Sequence, residues 1–174
     1  MRKALCVGID SYQNIADLHG CVNDANSVKS ALERNGDGTL NFNVKVMCAT
    51  SDDSYITKSQ LKDAIEELFK NETEVSVFYY SGHGSFDNSG GYLCTSEINR
   101  IDDGLSLNDI MGIVARSKAQ NKVIILDSCF SGAIANPAEM PNYSLLKNGT
   151  TILAACGETE YATEKNGHGV FTSL

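Results

Sequence analysis

The stretch Val75-Ser-Val-Phe-Tyr-Tyr-Ser81-Gly82-His83-Gly84 runs from a continuous apolar segment into a histidine flanked by glycines. An apolar run without polar alternation reads as a strand covered on both faces, which is the mark of a parallel sheet. A second stretch is built the same way. Val123-Ile-Ile-Leu-Asp127-Ser128-Cys129-Phe130-Ser131-Gly132 is an apolar strand that ends at a cysteine among small residues.

Working outward from these two, Ala4–Ile9, Phe42–Met47 and Thr151–Ala155 read as three further strands. Helical patterns fall between them. Val22, Ala25, Val28 and Leu32 mark one helix face, with Gly36 just past its end. Leu61, Ala64, Ile65, Leu68 and Phe69 mark a second, opened by Thr57 and Gln60 as a capping box. Leu107, Ile110 and Val114 mark a third, with Ser106 and Asp109 at its start. Tyr92–Thr95 is expected to form a small hairpin, and Ala133–Gly149, which holds both prolines, a long loop. Strand and helix in alternation predict an α/β fold with a mostly parallel sheet and helices on both faces, in one domain over residues 1–174.

The 174 residues are 42% hydrophobic and 21% charged, ordinary values for a chain with a packed core. The formal charge of -8, with no cluster of Lys and Arg, argues against nucleic acid as a partner. No apolar run reaches the length of a membrane span. MRKALCVGID is read as a first strand and not as an export signal, because its apolar part is short and lacks a small-residue cleavage site. The six cysteines have no zinc-ligand spacing, so free thiols in a reducing, cytoplasmic setting are expected.

In open parallel sheets, chemistry collects at the carboxyl ends of the strands. If the two quoted strands are neighbours, His83 and Cys129 face one crevice. A thiol needs a base to act as a nucleophile at neutral pH, and imidazole is the natural one. The backbone N–H groups of Gly84 and Cys129 are the candidates for an oxyanion hole. Taken alone, a cysteine at a strand end is ordinarily a small buried hydrophobe, and a histidine beside glycines a turn residue. Their joint placement at the ends of two apolar strands carries the argument. No Gly-rich phosphate loop opens a helix, which counts against a nucleotide-binding domain.

Tyr80-Ser-Gly-His-Gly84 and Asp127-Ser-Cys-Phe-Ser-Gly132 resemble the two signature blocks of caspase-like cysteine peptidases. Leu18-His-Gly-Cys-Val-Asn-Asp-Ala25 resembles a third block, typical of metacaspases and their bacterial relatives. The resemblance extends to Gly167-His-Gly-Val-Phe-Thr172. It implies a caspase-like three-layer sandwich and hydrolysis of peptide bonds through a thioester, with His83 protonating the leaving amine. It names no third catalytic residue here. The alternative is a catalytically idle module of the same fold, used for partner binding or regulation.

The resemblance also implies cleavage after Arg or Lys, with Cys21, Asp24, Ser81 and Asp127 forming the specificity pocket. Two carboxylates in one narrow pocket suit a guanidinium, which can bridge them. Against this, Asp24 could simply favour the first turn of a helix, and Asp127 could be a structural acceptor. Some metacaspases bind calcium through acidic residues between the His and Cys blocks, where this chain has Glu97, Asp102 and Asp103. Calcium takes six or more oxygens, and that set cannot be assembled here, so no cofactor is expected and Asp102 and Asp103 remain the only candidate ligands. Asn35-Gly-Asp-Gly-Thr39 reads as a turn.

By the same resemblance, Gly167–Thr172 should open a helix leading to a sixth strand, so that the last helix and sixth strand lie beyond Leu174. The edge beside Thr151–Ala155 is then expected to take a strand from a second chain. Lys147 and Lys165 are the candidate self-cleavage sites.

Overall fold

The computed structural model describes residues 1–51, 54–100, 103–128 and 149–155, together with the backbone of 164–165 and 168–169. Five parallel strands make the central sheet: β1 (Arg2–Ile9), β2 (Asn43–Ala49), β3 (Val75–Ser81), β7 (Asn121–Asp127) and β8 (Thr150–Ala154), in the order β2-β1-β3-β7-β8. Each lies where the sequence placed a strand, with ends moved by at most two residues.

Helices cover both faces. On one side α1 (Cys21–Glu33) packs Ala25, Val28 and Leu32 against Cys6 of β1 and Tyr79 of β3. On the other, α2 (Lys58–Lys70) and α3 (Leu107–Arg116) bring Leu61, Ile65, Phe69, Ile110 and Val114 onto Leu5, Val7, Phe78, Tyr80 and Ile124. The sheet is thus the middle of three layers. Truncating a side chain such as Leu61 or Ile65, each fully buried, to Ala would cost on the order of 2–5 kcal/mol.

The helix signals act as read. Thr57 accepts a hydrogen bond from the Gln60 N–H while the Gln60 side chain accepts from the Thr57 N–H, completing the capping box. Ser106 Oγ accepts from the Asn108 N–H at the start of α3. Gly36 does not end α1. The helix stops at Glu33, and residues 35–39 close a turn in which Asp37 Oδ1 accepts from both the N–H and the hydroxyl of Thr39.

Two expectations need correction. The hairpin lies earlier than Tyr92–Thr95: β4 (Gly84–Asp87) pairs with β5 (Gly90–Leu93), and β6 (Leu105–Ser106) joins β5 to make a three-stranded antiparallel sheet. Glycine and polar residues dominate β4, so it carried no apolar pattern. His168–Gly169, expected to open a helix, is instead β10, paired antiparallel with β9 (Glu164–Lys165). Cys129, Asp102, Lys147 and Cys156 lie outside the described residues, as do 133–148 and 170–174.

Candidate active site

The carboxyl ends of β1, β3 and β7 are in register: Gly8 is the partner of Ser81, and Ser81 the partner of Asp127. The first turn of α1 rests on this point. A Cβ on Gly8 would lie 2.4 Å from the Cys21 carbonyl oxygen, so only glycine lets the helix come this close to the strand. Gly20, the N-cap residue, offers no side chain to the helix start. The carboxylate of Asp10, just past β1, takes its place and accepts from the Cys21 N–H at 2.9 Å. That satisfies one of the unpaired amides of a helix start and sets a negative charge at its positive end.

This anchoring brings Cys21 and Asp24, one turn apart, onto the sheet face that also carries Ser81 and Asp127. All four are buried, Asp24 completely and Asp127 to 5% exposure. The four candidate residues come from three separated segments of chain and lie on the α1 side of the sheet, toward the carboxyl ends of its strands.

His83 lies two residues past β3, half-buried. Its Nε2 is 2.8 Å from the Ala16 carbonyl oxygen. A carbonyl can only accept, so Nε2 carries the proton and the neutral ring keeps its lone pair on Nδ1. The Tyr12 ring packs on the imidazole with centroids 4.8 Å apart, and the Tyr12 hydroxyl accepts the His83 backbone N–H at 2.8 Å. The His83 carbonyl accepts from the Cys94 N–H and from the Tyr80 hydroxyl. Burial pushes the Tyr12 and Tyr80 phenols well above their ordinary pKa, so both keep their protons.

The Cys94 N–H donates to the His83 carbonyl, and Gly84, the register partner of Leu93, opens β4 directly after it. Ser128, the last described residue before Cys129, is buried.

Two of the acidic residues between the His and Cys blocks bond the backbone, while Asp102 lies outside the described residues. Asp103 Oδ2 accepts from the N–H groups of Asn99 and Arg100, and Glu97 Oε1 accepts from the Lys58 N–H at the start of α2. Among the described residues no three His, Cys, Asp or Glu side chains gather closely enough to hold a metal.

Sequence reasoning passed over several residues of the site. Ala16 acts through its carbonyl and gives no side-chain signal. Tyr12 drew no reading, Tyr80 read as part of an apolar strand, and Asp10 only as the end of one. The Tyr80 hydroxyl is visible in the sequence only as an oxygen that a two-sided apolar strand must somehow satisfy.

The family model of the caspase domain matches residues 1–173. The chain belongs to the caspase domain family, a family of cysteine peptidases. It is 30% identical over 152 residues to Metacaspase-6 of Arabidopsis thaliana, covering 79% of this chain and 40% of that protein. It is 28% identical to Metacaspase-1 of Candida albicans (76% and 34% covered), and 27% identical to Metacaspase-2 of Trypanosoma brucei brucei (76% and 42%). The chain spans about two fifths of the length of the curated relatives it matches. No helix of the described residues is long and apolar enough to cross a membrane.

Proposed function

We propose that this protein is a cysteine endopeptidase that cleaves after Arg or Lys, with Cys129 as nucleophile and His83 as base. The observation that carries the reading is the His83 Nε2–Ala16 carbonyl contact, which leaves Nδ1 as the proton acceptor. The register supports it. Ser81 and Asp127 are partners, and His83 and Cys129 each follow their partner by two residues. In the proposed reaction the Cys129 thiol gives its proton to Nδ1 and the sulfur attacks the peptide carbonyl carbon. The oxygen takes the negative charge and is met by the N–H groups of Gly84 and Cys129. Collapse breaks the C–N bond, His83 returns the proton to the leaving amine, and water then hydrolyses the thioester.

Basic specificity rests on two buried carboxylates, Asp24 and Asp127, on one sheet face with Cys21 and Ser81. A guanidinium can meet both, whereas an acidic side chain would add a third negative charge. The four described cysteines are free thiols, in keeping with a cytoplasmic protein. Among the described residues β8 pairs only with β7, and Leu153 on it is 46% exposed. A strand from a second chain fits that edge. Lys147 and Lys165 are the places where self-processing would release one, and the mass and solution size of purified protein test this.

A peptidyl-arginine ketone tests the peptidase reading. Covalent capture at Cys129 together with a library cut after Arg and Lys is expected. A folded protein that neither reacts nor cleaves would make it the idle module. Cleavage after Asp with none after Arg would overturn the pocket.

A further inference from the structure

Two phenols frame the peptide unit of His83, and the residue before it is glycine because they stand there. A Cβ on Gly82 would lie 2.6 Å from the Tyr80 hydroxyl and 2.8 Å from the Tyr12 hydroxyl. Gly82 does not have a positive φ, so the backbone does not demand glycine. The space for the two hydroxyls does.

The two hydroxyls meet the two ends of this region separately. The His83 N–H donates to the Tyr12 oxygen at 2.8 Å. The Tyr80 hydroxyl donates to the Cys94 carbonyl at 2.6 Å, with the His83 carbonyl at 2.9 Å as second acceptor. One phenol thus holds the N–H of His83 and the other reaches its carbonyl. Tyr12 is 5% exposed and Tyr80 fully buried, so water cannot replace a lost bond without opening the core. The Tyr12 ring also contacts the imidazole, tilted 56° to it with centroids 4.8 Å apart. The same aromatic residue thus fixes both the main chain and the ring plane of His83.

We propose that Tyr12 and Tyr80 are positioning residues for His83. Their hydroxyls hold its peptide so that Nε2 meets the Ala16 carbonyl and Nδ1 is left as the proton acceptor. Neither touches substrate. The proposal rests on the reading of His83 as the base, and its test keeps the two apart.

The test uses the whole protein, with Tyr12→Phe and Tyr80→Phe made singly. Two quantities are read: the tautomer of His83 by nitrogen-15 NMR, and kcat and KM on an arginyl peptide. Wild type should show the proton on Nε2. Each variant should show a mixture of tautomers, and kcat should fall about tenfold with KM within twofold. If Phe variants do not fold, 3-fluorotyrosine at position 12 keeps the ring and hydroxyl while weakening the oxygen as acceptor, and the same two readouts should shift in the same direction. An unchanged tautomer with kcat within twofold of wild type, in a folded variant, overturns the positioning role. A tautomer that shifts in an enzyme whose activity survives His83→Ala supports the positioning role and overturns the reading of His83 as base.

Discussion

Ser81 and Asp127 stand side by side as register partners at the carboxyl ends of β3 and β7, and both are buried. The Gly82 N–H also reaches the Asp127 carbonyl oxygen at 3.4 Å, so the pairing continues past the strand toward His83. Asp127 thereby joins the two signature segments and supplies a carboxylate to the candidate pocket. Asp127→Asn keeps the shape and removes the charge. It should lower kcat/KM on arginyl peptides on the order of a hundredfold, the scale for losing one partner of a buried charge pair. Most of the loss should be in substrate binding. An unchanged kcat/KM on arginyl peptides would place Asp127 in a structural role.

Cys129→Ala and His83→Ala should each remove nearly all turnover, because nucleophile and base act as one unit. The double variant should be little worse than either single one. Kinetics on the three variants, with circular dichroism to confirm folding, check this. Full activity in folded Cys129→Ala would sink the assignment.

The legibility of the sequence varied with the kind of force involved. The five strands of the central sheet declared themselves mainly as continuous apolar runs buried on both faces, and the three helices by the period that one buried face imposes. The capping box at Thr57 and Gln60 was legible because it depends on two side chains at fixed spacing. The antiparallel strand Gly84–Asp87 was not, since its pairing with β5 is made by backbone and needs no apolar pattern. The same division holds in the site. His83, Asp24, Ser81 and Asp127 are marked by side-chain chemistry, and the register makes Ser81 and Asp127 partners. Ala16 is a carbonyl, and the contribution of Gly8 is the absence of a side chain. Neither can be inferred before the chain path is known.

Thiol reactivity should separate the cysteines. Cys6 is fully buried, and burial, with Cys48 nearby, pushes its pKa up to about 12. At pH 8 roughly one molecule in ten thousand would carry its thiolate, the reactive form. Iodoacetamide on the native protein should leave Cys6 unmodified while it labels Cys129, as read by peptide mass spectrometry. Cys6→Ala should keep the chemistry. Rapid native labelling of Cys6 would contradict its burial.

Excess chelator should leave activity in place. Asp103 and Glu97 hold backbone N–H groups at Asn99, Arg100 and Lys58, so their effect is to shape loops. Asp103→Asn should lower thermal stability slightly and leave turnover within a few-fold of wild type. Complete loss of activity in chelator, restored by calcium alone, would contradict this.

The start of α1 offers the most direct test of how fold and site are joined. The helix is held on β1 by two features: the missing side chain of Gly8 and the carboxylate of Asp10 on the Cys21 N–H. Asp10→Ala removes the cap and should cost about 1 kcal/mol of stability. Gly8→Ala forces a methyl against a backbone carbonyl, which cannot swing aside as a side chain can. The helix start must lift, at a cost on the order of 1–3 kcal/mol. Cys21 and Asp24 ride on that first turn, so the pocket should move with it. Both variants should therefore lose specificity for basic peptides well before they lose their fold. Denaturant unfolding measures the stability term, and kcat/KM at a temperature where each variant is fully folded measures the site. Wild-type kcat/KM in a destabilised but folded Gly8→Ala protein would show that the pocket does not depend on the seating of α1.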